Sequence, residues 1–171
     1  MRHVPVLLNE VLEGLALQPG MNTVDCTLGD GGHAEKVLEL TAPNGRLLGI
    51  DADAESLLKS KRNLYKFGDR LVAVRSNFEN LEKIVKENNF GPVNGVLIDL
   101  GWSSSQFESG GKGFSFQIDE PLDMRYEQMA ERLTAAEIIS SYSQEELSRI
   151  FKIYGEEKLS KEIASAIVVG R

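Results

Sequence analysis

The sequence predicts an α/β fold: a doubly wound parallel sheet of about four strands, incomplete as it stands, with a helical insert. Three observations predict it. Short runs of β-branched and aliphatic residues alternate with helical patterns through residues 22–100. That order implies βαβ units and a parallel sheet. The run Val93 to Leu100 is apolar on both faces, as a buried parallel strand should be. Residues 133–170 then turn helical, and the chain stops at Arg171 with no fifth strand.

The elements follow in order. Asn22 to Cys26 reads as the first strand and Thr27 to Gly32 as a glycine-rich turn. His33 to Thr41 reads as a helix with Val37, Leu38 and Leu40 inside. Arg46 to Asp51 is the second strand. Asp53 is placed to cap a helix running to Phe67. Leu71 to Arg75 is the third strand, Phe78 to Asn89 the third helix, and Val93 to Leu100 the fourth strand. Residues 101–125 hold Gly, Ser and Pro in a loop longer than a simple connection needs, which points to function or disorder. Residues 133–170 read as two or three amphipathic helices. Leu147, Ile150, Phe151 and Tyr154 share one face, Leu159, Ile163 and Ile167 another, and Gly155 breaks the helix between them. The division expected is an α/β half-domain at 1–100 and an active-site loop with helical insert at 101–171.

Composition narrows the function classes. A hydrophobic share of 42% is enough for a globular core, and no apolar run approaches membrane-spanning length. Pro5 interrupts an opening too short in apolar residues for a signal peptide. The single cysteine, Cys26, excludes an internal disulfide framework and a thiolate metal cluster. Together these features place the chain in the cytoplasm. Its net charge of −7 is not a nucleic-acid footprint. The cations Lys112, Arg125, Arg132, Arg149, Lys152, Lys158 and Lys161 gather in the last third, where composition alone reads them as a solvated helix surface.

The strongest local signal is Asp25-Cys26-Thr27-Leu28-Gly29-Asp30-Gly31-Gly32-His33-Ala34. It follows the first strand and opens a helix, and Gly29, Gly31 and Ala34 satisfy the G-x-G-x-x-G/A fingerprint. Asp51 lies 22 residues after Gly29, where an acid can accept hydrogen bonds from both ribose hydroxyls. A plain turn beside a surface aspartate would use the same residues. S-adenosylmethionine and NAD both present a ribose there, so the motif does not choose between them. Asp99 ends the fourth strand and should face the same crevice, because ligands of open α/β sheets bind beyond the strands' carboxyl ends. Phe78, just past the third strand, can pack on an adenine ring or in the core. His33 begins a helix, where a ligand-orienting or capping role competes with that of a general base. His3 and His33 make no metal pattern, so no metal is assigned. Cys26 reads as a small buried residue.

One family is resembled closely. Asp99-Leu100-Gly101-Trp102-Ser103-Ser104-Ser105-Gln106, Gly113-Phe114-Ser115-Phe116 and Pro121-Leu122-Asp123-Met124-Arg125 resemble the bacterial 16S ribosomal RNA cytosine-N(4) methyltransferase family of the MraW type. His3 to Val11, Thr27 to His33, Tyr154 to Glu157 and Ile163 to Ile167 match the same family in the same order. The resemblance implies a Rossmann-like class I methyltransferase fold and S-adenosyl-L-methionine as cofactor, held by Gly31, Gly32, His33, Asp51, Phe78, Asp99 and Gln106. It implies methyl transfer to the exocyclic amine of a cytidine in the small ribosomal subunit. Trp102 stands where the family has a small aliphatic residue, Gly111-Lys112 replaces Glu-Arg, and Tyr126-Glu127 replaces Met-Asp, all near the substrate side. Family members continue beyond Arg171, so the chain reads as a truncated or split version.

The implied reaction holds a methyl sulfonium in line with a nitrogen, which is mostly positioning. Asp99 and Asp123 are both candidates to accept a hydrogen bond from the amine, as are backbone carbonyls of residues 100–106. Trp102, Phe114 or Phe116 can stack on the unstacked base or belong to the core of the insert; Arg125 is grouped with them on the substrate side. The partner is then ribosomal RNA, and the fourth strand's free edge is expected either to pair in a homodimer or to be covered by the helical insert. Two rivals stand beside this reading: an NAD-dependent oxidoreductase on the same half-sheet, and a non-catalytic binding module.

Overall fold

The first strand begins at Thr23 and Val24, both buried, after a turn through Pro19 and Gly20. In a computed structural model of the chain, residues 5–101, 111–125 and 132–171 are described. The chain divides into two compact units, 1–102 and 103–171.

The first unit holds the sheet. Its strands are β1 (Thr23–Asp25), β2 (Leu47–Asp51), β3 (Leu71–Arg75) and β4 (Gly95–Leu97), all parallel in the order β3-β2-β1-β4. Val24 pairs with Leu48 on one side and Val96 on the other, and Asp51 with Arg75. The order reverses at β1: the chain moves outward to β2 and β3, then crosses back to β4. That reversal opens a crevice at the carboxyl ends of β1 and β4.

The helices are α1 (Leu8–Leu15), α2 (Gly32–Leu40), α3 (Ala54–Asn63) and α4 (Leu81–Glu87). Alternation along the strands sorts the core into two clusters. Leu47, Leu71 and Ala73 join Leu28, Ala34, Val37, Leu38, Leu57 and Leu64, with Leu12 and Leu15 of α1 packed against them. Leu48, Ile50, Val72 and Val74 join Val24, Cys26, Ile84 and Phe90. Side chains two apart on a strand share a face, so α1, α2 and α3 cover one side of the sheet and α4 the other.

Several expectations need correction. Helix α1 is absent from the elements expected; Leu8, Val11, Leu12 and Leu15 carry the spacing, but Leu7 supplies no side-chain cap. Leu40 is half-exposed; Thr41 takes the buried place after Leu38 and ties its hydroxyl to the Val37 carbonyl at 2.8 Å. Asp53 does cap α3, accepting from the Glu55 amide, but the helix stops at Asn63. Tyr65–Arg70 then forms 3-10 turns interrupted at Gly68. The helix expected from Phe78 opens as a 3-10 turn over Phe78–Asn80. The fourth strand is Gly95–Leu97 alone, and Val96, Ile98 and Leu100 are exposed. The apolar run there has the pattern of a strand buried on both faces, but β4 is outermost in the sheet and, among the described residues, pairs only with β1.

In the second unit, α5 (Ala135–Ser141), α6 (Gln144–Tyr154) and α7 (Ser160–Gly170) follow in turn. Thr134 with Glu137 and Ser143 with Glu146 form capping boxes at α5 and α6. Helix α6 ends at Gly155 as expected. Helices α6 and α7 pack together, and Leu147, Ser160 and Ala164 are the buried residues of the pair. Tyr154, Leu159 and Ile163, expected on buried faces, are exposed; the small Ser160 and Ala164 occupy the contact instead.

Candidate functional site

Loop Cys26–Gly31 leaves β1 and turns back over β2. The Leu28 amide donates to the Ile50 carbonyl at 3.0 Å, and the Gly29 amide to Asp51 Oδ2 at 2.8 Å. The second Asp51 oxygen accepts from the Asp53 amide, also at 2.8 Å. Burial pushes the Asp51 carboxyl above its ordinary range, against the two amides that favour its charge. Gly31 has φ +86°, and a Cβ there would lie 2.8 Å from Leu64 Cδ1. That position therefore excludes a side chain on both counts. Gly32 opens α2 against Pro5, whose Cγ would stand 2.5 Å from an added Cβ.

His33 is buried at the first turn of α2. Its Nε2 lies 3.1 Å from the Val6 carbonyl, and its Nδ1 3.9 Å from Asp99 Oδ2. The carbonyl can only accept, so it favours the tautomer with hydrogen on Nε2. Asp99 follows β4, and its side chain is half-exposed. Phe78 sits just past β3 with 40% of its surface exposed, beside Asn77, which caps the turn through the Glu79 amide.

Sequence reasoning assigns no role to Asp25, the last residue of β1. It is 2% exposed, and burial drives its carboxyl up to about 7, with the charges of Asp51 and Asp99 adding to the rise. Its position at the strand end was the available signal. The site thus gathers Asp25, Asp51, His33 and Asp99 with the Gly29–Gly32 loop at one end of the sheet. Cys26 is buried, and its thiol is pushed up by that burial, which leaves it unsuited to act as a nucleophile.

The other predicted residues lie in the second unit or outside the described residues. Trp102 and Gln106 are outside. Asp123 pairs with Arg125, Oδ1 to Nε at 2.6 Å and Oδ2 to a terminal nitrogen at 3.0 Å. The guanidinium holds the Asp123 carboxyl below its usual range. Arg125 also donates to the Arg132 carbonyl at 3.1 Å. Phe114 is partly buried, whereas Phe116 is 98% exposed. Among the described residues, no group of three His, Cys, Asp or Glu could hold a metal ion, and no helix is long and apolar enough to cross a membrane.

A family model described as the MraW methylase family matches residues 1–171. The protein named Ribosomal RNA small subunit methyltransferase H of Symbiobacterium thermophilum is 44% identical over 169 residues, which span 99% of this chain and 53% of that protein. Its namesakes in Dehalococcoides mccartyi and Carboxydothermus hydrogenoformans are each 47% identical over 99% of this chain, covering 48% and 53% of their own lengths. The chain spans about half the length of these curated relatives. A crystal structure of a Clostridium thermocellum protein, provisionally named an rRNA methylase, superposes with a TM-score of 0.51 at 22% identity, over 61% of this chain and 56% of that one. At that identity the likeness concerns the fold.

Proposed function

The chain belongs to the MraW methylase family, and from that premise we propose that it forms the S-adenosyl-L-methionine-binding part of a cytoplasmic methyltransferase acting on the exocyclic amine of a cytidine in small-subunit ribosomal RNA. The observation that carries this reading is the meeting of the Gly29–Gly32 loop, Asp51 and Asp99 at the switch point of the sheet. The relatives' shared name supports the RNA class. The NAD-dependent alternative, which the loop motif leaves open, has no counterpart in a methylase family that spans the whole chain.

The residues fit such a cofactor. Each Asp51 oxygen holds one backbone amide, and a carboxylate has about four acceptor sites, so both ribose hydroxyls can still donate to it. Asp30 Oδ1 is buried without a hydrogen-bond partner among the described residues, close enough to Asp51 to raise its pKa. Phe78 offers an open ring for adenine. Carboxylates at the ends of β1 and β2 and beyond β4 favour a cationic ligand over a neutral one. When bound, the cofactor supplies an electrophilic methyl group on a positively charged sulfur.

The remaining work belongs to the chain's own groups. Asp99 is half-exposed and accepts a hydrogen bond from the cytosine amine, which draws its nitrogen lone pair out of the ring's delocalised system. Asp123 is less suited, because its pairing with the Arg125 guanidinium holds the carboxyl below its usual range and makes it a weaker acceptor for the amine's proton. Phe116, whose ring is exposed, offers a face on which an extruded base can stack. Methyl transfer to small ribosomal subunits, with the product nucleoside read by mass spectrometry, tests the assignment. N4-methylated cytidine is the expected product. A label on another nucleotide overturns the substrate, and cofactor binding with no transfer reduces the chain to a binding module.

A further inference from the structure

We propose that Thr27 is a positioning residue for Asp99, its hydroxyl holding the end of β4 in place by standing between the Asp25 carboxylate and the Asp99 amide. This rests on the cofactor site proposed above. Asp25 Oδ1 accepts from the Thr27 amide at 3.0 Å and from the Thr27 hydroxyl at 3.4 Å. The Asp99 amide donates to the same hydroxyl oxygen at 2.8 Å.

The polarity of this relay is fixed at both ends. An amide can only donate, so Thr27 Oγ1 accepts from Asp99. An oxygen of Asp25 that takes two donors accepts from both, so the one hydroxyl hydrogen of Thr27 goes there. The relay also stands where the sheet ladder runs out. Its last rung between these segments is Cys26 amide to Leu97 carbonyl, at 2.9 Å. One residue further along β1's exit and two along β4's, among the described residues, the Thr27 hydroxyl is what joins the two loops. Asp99 presents its carboxylate from that anchored amide, 3.9 Å from His33 Nδ1. A side chain of threonine's shape without the hydroxyl would leave the Asp99 amide unpaired and free to shift. Buried Asp25 would lose one of its donors as well.

The consequence is specific to charge. If Asp99 faces the sulfonium, losing its placement weakens binding of the cationic cofactor more than of the neutral product, S-adenosylhomocysteine. Calorimetry on the whole chain reads this directly, with folding checked by circular dichroism. Thr27→Ser is expected to keep the wild-type preference. Thr27→Val, or Thr27→Ala where valine fails to fold, is expected to lose about tenfold in affinity for S-adenosylmethionine and much less for S-adenosylhomocysteine. Asp99→Asn should show the same selective loss, and the double variant Thr27→Val/Asp99→Asn should bind no worse than Asp99→Asn alone. Equal losses for both ligands, or additive effects in the double variant, mean that Thr27 only stabilises the fold, and overturn the proposal. A wild-type chain that binds neither ligand overturns the cofactor site itself, and this role with it.

Discussion

Replacing Asp25 with asparagine is expected to stabilise the chain above neutral pH and to change little near pH 4. Asp25 is 2% exposed, and its carboxyl rises from 3.8 to about 7 on folding. Between those values the folded chain binds more protons than the unfolded one, so stability falls as pH rises through the window from about 4 to about 7 and stays low above it. A tenfold change in a proton's affinity is worth about 1.4 kcal/mol, which puts the full penalty at roughly 4 kcal/mol. Asparagine keeps the oxygen that accepts from the Thr27 amide and hydroxyl, and carries no charge to desolvate. Urea denaturation at pH 4 and pH 8 measures the difference. Asp25→Asn should exceed wild type by about 2–4 kcal/mol at pH 8, and the two curves should converge at pH 4. A variant less stable than wild type at pH 8, or a gap that ignores pH, would refute the view that Asp25 is held in its site against its own charge.

Two further outcomes follow from the same geometry. Asp51→Ala should weaken S-adenosylmethionine binding by about 1.5–3 kcal/mol, the scale of a hydrogen bond to a charged group, and calorimetry showing unchanged affinity removes Asp51 from the site. Asp99→Asn should reduce methyl transfer to small subunits by a larger factor than it reduces cofactor affinity; equal turnover of variant and wild type shows that Asp99 takes no part in the reaction.

Much of the sheet is legible in the sequence because its signals are local. The strands at Leu47–Asp51 and Leu71–Arg75 alternate between the two core clusters, and Asp53 announces the helix it caps. The loop glycines are legible for a similar reason: Gly29 and Gly31 both have positive φ, which their residue type already anticipates. What could not be read depends on neighbours. Val96 and Ile98 belong to an apolar run that looks buried, but their exposure follows from the place of β4 in the strand order, which no local pattern encodes. Tyr154 and Leu159 have the right spacing for a buried face, but small residues at Ser160 and Ala164 set the contact between α6 and α7. Asp25 and Thr27 lie inside the strongest local motif. The part proposed for Thr27 stays hidden there because it arises from a hydrogen bond with the Asp99 amide, 72 residues away in the chain.

Calorimetric titration of the chain with S-adenosylhomocysteine and, separately, with NAD tests the central claim most directly. The loop, Asp51 and Asp99 are read as a site for an S-adenosyl ligand, so saturable binding of S-adenosylhomocysteine and no heat from NAD is the result expected. Binding of NAD with S-adenosylhomocysteine ignored would contradict the account, because the same ribose-binding acid would then serve a different chemistry.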